Sequence, residues 1–175
     1  MASLQPVSES VLQAEGEDFV ALDGASLEQL REMAERSSLG RARVCAHPSA
    51  DDPIHEMMIW LTPSTYVRPH RHHGKSESFH VIQGEVDIVL FDESGEIVDL
   101  VSLGACGSGR DFYYRLESPL YHTVLPGDGG VLVHETTNGP FDPEEGDFAE
   151  WSPACDDEAG ILRLREKIDR YRAEA

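Results

Sequence analysis

Between Arg41 and Thr137 the chain is a succession of short β-prone runs, among them HEMMIWLT, ESFHVIQ, EVDIVLFD, EIVDLVSL, DFYYRL and VLVHETT, cut by Pro, Gly, Asp and Ser. No stretch of it carries helical periodicity. About eight or nine such runs at turn-bounded spacing fold as an antiparallel sandwich or barrel, because parallel βαβ units need a helix between consecutive strands. QGEV and DESGEI read as hairpin connections between neighbouring runs.

Two amphipathic helices flank this β body. The first is expected over 26–39, with Ser26 as N-cap, Gln29 three positions on, Leu27, Leu30 and Ala34 on one face, and Gly40 as terminator. The second is expected over 156–173, behind the acids Asp156, Asp157 and Glu158, with Ile161, Leu164, Ile168 and Tyr171 on one stripe. Each has a single apolar face, so both are expected to cover the outside of the β body. The weakly alternating, acidic residues 1–25 form either a flexible arm or an added edge strand.

At 175 residues the chain is long enough for one core and short for two. The expected organisation is an N-terminal arm (1–25) and a single domain (26–175) whose barrel occupies 41–153. With 33 acidic residues against 14 basic ones, a net charge of −19, the surface repels phosphate backbones and anionic bilayers. Nucleic acid and membrane partners are therefore disfavoured. The opening MASLQPVSES has no basic segment followed by an apolar run, and no stretch is apolar enough to span a bilayer. Cys45, Cys106 and Cys155 are odd in number and widely spaced, which fits a reducing compartment. The expectation is a cytoplasmic protein.

Chemistry concentrates in PHRHHGKSES, which begins at Pro69. On a strand, residues two apart share a face, so His70 and His72 can converge on one ion, with Arg68 and Tyr66 on the same side. Glu77 opens the next strand and brings a carboxylate across the connection. Imidazole and carboxylate donors together suit a first-row divalent metal. His122, in PLYHTVL, offers a fourth donor from a later strand. His73 and His80 fall out of phase with this set.

The pattern His70, His72, Glu77 and Gly84 resembles the first motif of the cupin superfamily. The second motif of that family is represented only by Pro119 and His122, and Ser64 stands where the first motif usually opens on glycine. YVRPHRH, ESFHVIQGEV, HETTNGPF and WSP, with the helix leading to RARVCAHPSADDPIHEM, are together similar to the small WbuC-type cupin metalloproteins found with bacterial surface-polysaccharide genes. The resemblance covers roughly Ser26 to Pro153. It implies a mainly β fold, a double-stranded β-helix (cupin or jelly-roll) barrel with N- and C-terminal flanking helices. It also implies one divalent transition metal (Fe, Mn, Zn or Ni) on His70, His72, Glu77 and His122.

Three imidazoles and a carboxylate leave two positions of an octahedral ion open to polarise a carbonyl, activate water or bind dioxygen. The leading expectation is a metal-dependent isomerase, epimerase or lyase acting on a small polar, sugar-derived molecule. The alternatives are an Fe(II) dioxygenase and a non-catalytic metabolite-binding module. Glu135 or His134 is expected to move the proton, only one of them facing the cavity, while Arg68 holds a substrate anion. Tyr66 and His47 are further candidates for substrate binding. In DFYYRL, Phe112 and Tyr114 share one face and Tyr113 and Arg115 the other; the latter pair is included as substrate-binding candidates. A homodimer is expected, since small barrels of this kind expose edge strands.

Overall fold

The computed structural model describes residues 2–141 and 147–174, and in them the β-prone runs pair into ten strands with a helix on either side. In chain order they are β1 (Ser3–Ser8), β2 (Val11–Glu15), α1 (Gly24–Arg36), β3 (Arg41–Cys45), β4 (Ile54–Leu61), β5 (His70–Arg71), β6 (Glu77–Phe91), β7 (Ile97–Gly104), β8 (Tyr113–Leu116), β9 (Tyr121–Asn138), β10 (Asp147–Phe148) and α2 (Glu158–Glu174).

Two long strands make the barrel. β6 and β9 pair antiparallel from Glu77 opposite Thr137 to Phe91 opposite Tyr121, with register shifts at Val81/Gln83 and Gly84/Val86. Such bulges bend and twist a strand, so one half of each long strand lies in one sheet and the other half in a second. The first sheet runs β8-β6-β9-β4-β3-β2-β1, and the second β7-β6-β9-β5-β10. This is a double-stranded β-helix. QGEV is therefore not a hairpin connection: β6 passes straight through it, and Gly84 marks the bend. Its φ of +82° belongs to glycine, and a Cβ there would lie 2.2 Å from the Gly130 carbonyl oxygen. The other expected connection, DESGEI, does turn between β6 and β7, with Asp92 accepting from the backbone of Ser94 and Glu96.

Alternation along the strands sorts the core into layers. Ile59, Leu61, Val131 and Val133 point into the barrel, where Leu61, Val81, Val86, Ile88, Leu103 and Val124 are buried together. Trp60 and Leu132 point outward and meet Leu30 and Ala34 of α1 over Ala42 and Val44. On the second sheet, Val89, Phe91 and Tyr121 are covered by Ile168 and Leu164 of α2. Full burial of a side chain such as Leu30 or Ile168 stabilises by roughly 1.5–3 kcal/mol, which holds each helix on its sheet.

The first helix is capped three residues earlier than the sequence pattern implied. Asp23, not Ser26, is the N-cap of α1; its carboxylate accepts from the Ser26 backbone at 2.9 Å and the Ser26 hydroxyl completes a capping box. A carboxylate at the positive end of a helix outcompetes a hydroxyl for that role. The helix stops at Ser37 rather than at Gly40. In α2 the Gly160 backbone donates to Asp157 at 2.9 Å. The N-terminal segment is an added edge: β1 and β2 form a hairpin, and β2 joins β3 in parallel.

Candidate metal centre

Four side chains from four places in the chain meet where the two sheets converge. His70 on β5 lies directly opposite His122 on β9, so the two imidazoles leave the sheet on the same face. His72 follows two residues after His70, and Glu77 enters as the first residue of β6, from the other sheet. The ring centroids of His70 and His122 are 4.5 Å apart, and those of His70 and His72 are 5.0 Å apart. One ligand atom from each of the four residues lies within 4.8 Å of all the others.

These atoms converge without bonding well to one another. His72 Nε2 stands 3.4 Å from Glu77 Oε2, and His122 Nε2 stands 3.5 Å from Glu77 Oε1. His72 Nε2, His122 Nε2 and Glu77 Oε1 are buried and have no hydrogen-bond partner. Leaving a buried polar atom unpaired costs about 1–3 kcal/mol, so three of them around one point fit an ion that supplies the common partner. The outer nitrogens agree. His70 Nδ1 is 2.9 Å from the Arg68 carbonyl and His122 Nδ1 is 3.2 Å from the Leu120 carbonyl. Donating outward from Nδ1 leaves each Nε2 as a lone pair aimed into the cluster, the arrangement metal-binding histidines adopt.

Charge follows the same geometry. Burial, reinforced by His122, pushes the His70 imidazole down to about 4, so it is neutral at pH 7. Burial opposes the charge on Glu77, but the imidazoles of His122 and His72 outweigh it and hold the carboxyl well below the usual range. Burial likewise opposes a charge on His122, and the Glu77 carboxylate beside it raises its pKa all the same. A neutral His70 imidazole beside an ionised Glu77 carboxylate offers donors in the protonation state a divalent cation needs.

Beyond the cluster the barrel wall carries further polar groups. Glu135 on β9 lies opposite Phe79 and Met57 and faces inward with them. Its carboxyl is raised well above the ordinary value, by burial first and then by the Glu77 charge, against the opposing pull of Arg43 and Arg41. Tyr114 on β8, opposite Phe79, buries a hydroxyl with no partner, and burial followed by the Glu77 charge raises its pKa. Arg41 and Arg43 on β3 lie opposite Leu61 and Ile59, which places them on the inner face. Tyr114, Arg41 and Arg43 escaped the sequence reading. RARVC alternates like a solvent-exposed strand, and its sign of function was that Ala42 and Val44 already supply the face that α1 covers.

Other expected residues sit elsewhere. His134 is on the outer face of β9, its Nε2 3.8 Å from Glu56 Oε1, so of the His134–Glu135 pair the carboxylate enters the barrel. Tyr113 is exposed and Arg115 pairs with Glu117 at 2.7 Å in solvent, because β8 turns Tyr114 inward. Arg68 does not share the histidines' face: residues 65–69 are not a strand, and strand alternation fails there. Its guanidinium instead donates to Ser152 Oγ at 2.8 Å and lies over the Phe148 ring, pinning the segment after β10. The Tyr66 hydroxyl donates to the Pro153 carbonyl at 2.8 Å, and burial raises its pKa to about 12. His47 lies beyond the end of β3, stacked on His55 at 4.1 Å. His73 is in the loop with Asp147 2.8 Å from its Nε2, and His80 is exposed beside Phe112.

The model of a family described as a domain of unknown function, DUF6016, matches residues 22–103. No curated protein matches the chain in sequence. Among solved structures, protein SO0799 from Shewanella oneidensis is 13% identical, with a TM-score of 0.54 over 69% of this chain and 82% of that one. That likeness is one of fold. A single-substitution variant of oxalate decarboxylase from Bacillus subtilis is 17% identical, with a TM-score of 0.45 over 55% of this chain. The same enzyme at pH 4.6 is also 17% identical, with a TM-score of 0.47 over 62%. The chain spans only 24% and 27% of the length of those two.

Proposed function

We propose that the protein is a metal-dependent cupin enzyme that isomerises, epimerises or eliminates beside a carbonyl of a small polar, sugar-derived metabolite. The observation that carries the reading is the convergence of four ligand atoms within 4.8 Å, three of them buried without any other partner. His70, His72, Glu77 and His122 would hold one Fe, Mn, Zn or Ni ion, since nitrogen and oxygen donors suit all of these. A bound ion would supply the Lewis acid that polarises a substrate carbonyl. Glu135 would move the proton: a carboxyl raised by burial and by a neighbouring anion can give or take one near neutral pH. Phe79 and Met57 flank it across the strands as apolar neighbours.

The sugar element rests on the likeness to WbuC-type cupins, because a fold by itself does not name a substrate. Three unpaired cysteines support a reducing compartment such as the cytoplasm, and the open edge at β1 supports a homodimer. Elemental analysis of protein purified without a metal-affinity tag tests the centre. One transition-metal ion per chain is expected, lost in Glu77→Gln and in His122→Ala. Glu135→Gln should keep the ion and lower turnover by roughly 10²–10⁴-fold. Metal content unchanged by the first two substitutions would defeat the proposal, and turnover that consumes dioxygen in the iron form would replace it with a dioxygenase.

A further inference from the structure

Arg41 and Arg43 are the two arginines of the chain that β3 turns to the inner face of the barrel, and like Arg68 and Arg165 they form no ion pair among the described residues. Arg31, Arg36, Arg71, Arg110, Arg115 and Arg172 each pair with a carboxylate. Arg41 and Arg43 form no ion pair among the described residues, although the chain carries 33 acids. Both are half-buried on the inner face of β3, two residues apart, so their charges repel each other. Arg41 donates only to the Tyr66 carbonyl, at 3.3 Å, and Arg43 Nε is buried without a partner. Two guanidinium groups turned inward without a carboxylate at salt-bridge distance among the described residues are costly to hold. Guanidinium groups fork onto carboxylate geometry, and an anionic ligand would relieve both the repulsion and the unmade bonds.

The pair also faces the metal centre. Glu135 is in electrostatic reach of Arg43 and Arg41 on one side and of Glu77 on the other. β3 and β6 are separated by β4 and β9, three strand spacings of roughly 4.8 Å each. The arginine side chains and the cluster's own side chains cover part of that width from either wall, and a chain of five or six carbons covers more of the remainder than a two-carbon acid does. Between the two ends stand two groups able to bond hydroxyls, the Glu135 carboxyl and the partnerless Tyr114 hydroxyl. We propose that Arg41 and Arg43 bind the carboxylate of an extended polyhydroxylated acid, of the kind a sugar acid represents, whose opposite end lies on the four-residue cluster. The subsite deepens the proposed function and rests on it for the position of the other end, but the carboxylate grip is independent of any ion.

Calorimetric titration with D-glucuronate, D-glucose and inorganic phosphate, on metal-loaded and chelator-treated protein, tests it. Glucuronate is expected to bind both forms, tighter when metal is present, and glucose at least tenfold more weakly than glucuronate. Arg43→Gln and Arg41→Gln should each weaken glucuronate by roughly tenfold or more, with little change for glucose. Arg43→Lys keeps the charge and the strand while removing the fork, and should lie between Gln and wild type. His70→Ala should remove the gain due to metal. Glucuronate binding that is indifferent to all three arginine substitutions would overturn the subsite, as would no binding to wild type, or arginine-dependent phosphate binding tighter than that of glucuronate. A protein that takes up no metal yet binds glucuronate through the arginines would refute the metal reading and leave the subsite standing.

Discussion

Val86, Ile88, Leu103 and Val124 fill one half of the barrel interior, and His70, His72, Glu77 and His122 occupy the other. β6 contributes Val86 and Ile88 to the first and Glu77 to the second, and β9 contributes Val124 and His122. In the apolar half every group is satisfied by packing. In the polar half, buried nitrogens and oxygens face one another at 3.4–3.5 Å without bonding. The comparison teaches that the apolar half supplies the stability that holds buried, converging polar side chains in the other.

The largest test of that division is to damage the apolar half. Leu103→Ala should destabilise the protein by about 2–5 kcal/mol, through lost burial and the cavity left behind. Urea unfolding measures it, and the loss should be the same at pH 7 and pH 5 because nothing beside Leu103 in that cluster titrates in this range.

The polar half should behave oppositely. His70 is a base whose folded pKa is depressed from 6.5 to about 4, so the unfolded chain binds its proton first. Stability from this group is present above pH 6.5 and is lost as pH falls toward 4, by about 3 kcal/mol over that window. Glu77, held below its usual range, adds a further loss below pH 4.5, while His122, raised by Glu77, acts in the opposite sense. Urea unfolding of chelator-treated protein across pH 4–7 should show the fall, and His70→Gln should flatten it. A wild-type curve without slope in that range would mean that the imidazole is hydrated rather than buried.

The smallest effect belongs to the outer wall. His134→Ala and Tyr113→Ala touch only solvent-facing positions and should shift stability by no more than about 0.5 kcal/mol, with metal content unchanged. A large loss of metal in either would show that the inner and outer faces have been exchanged, contrary to the register of β9 with β4.

Much of this was legible from residue spacing. The β texture from Arg41 to Thr137 and the two apolar helix faces carried the fold class, and the two-residue step from His70 to His72 with Glu77 five positions on marked the cluster. What stayed hidden has local causes. QGEV has the residues of a hairpin, yet β6 runs through it because Gly84 is needed where Gly130 passes behind. Arg68 is not in phase with His70, because strand alternation does not run through 65–69, where the backbone is not a strand. Tyr114 and Arg43 were obscured because period-two alternation names two faces but not which one is inside.

The sequence alone therefore determined which residues share a side of a strand and which chemical groups were available, since those follow from backbone geometry and composition. Only the tertiary structure decided that Glu135 and not His134, Tyr114 and not Tyr113, turn toward the cluster. That choice belongs to the register between β6, β8 and β9 and to the bulges that fold two strands across both sheets. Contacts between residues up to 60 positions apart settle it, as Glu77 and Thr137 do, and no local window of the chain contains them.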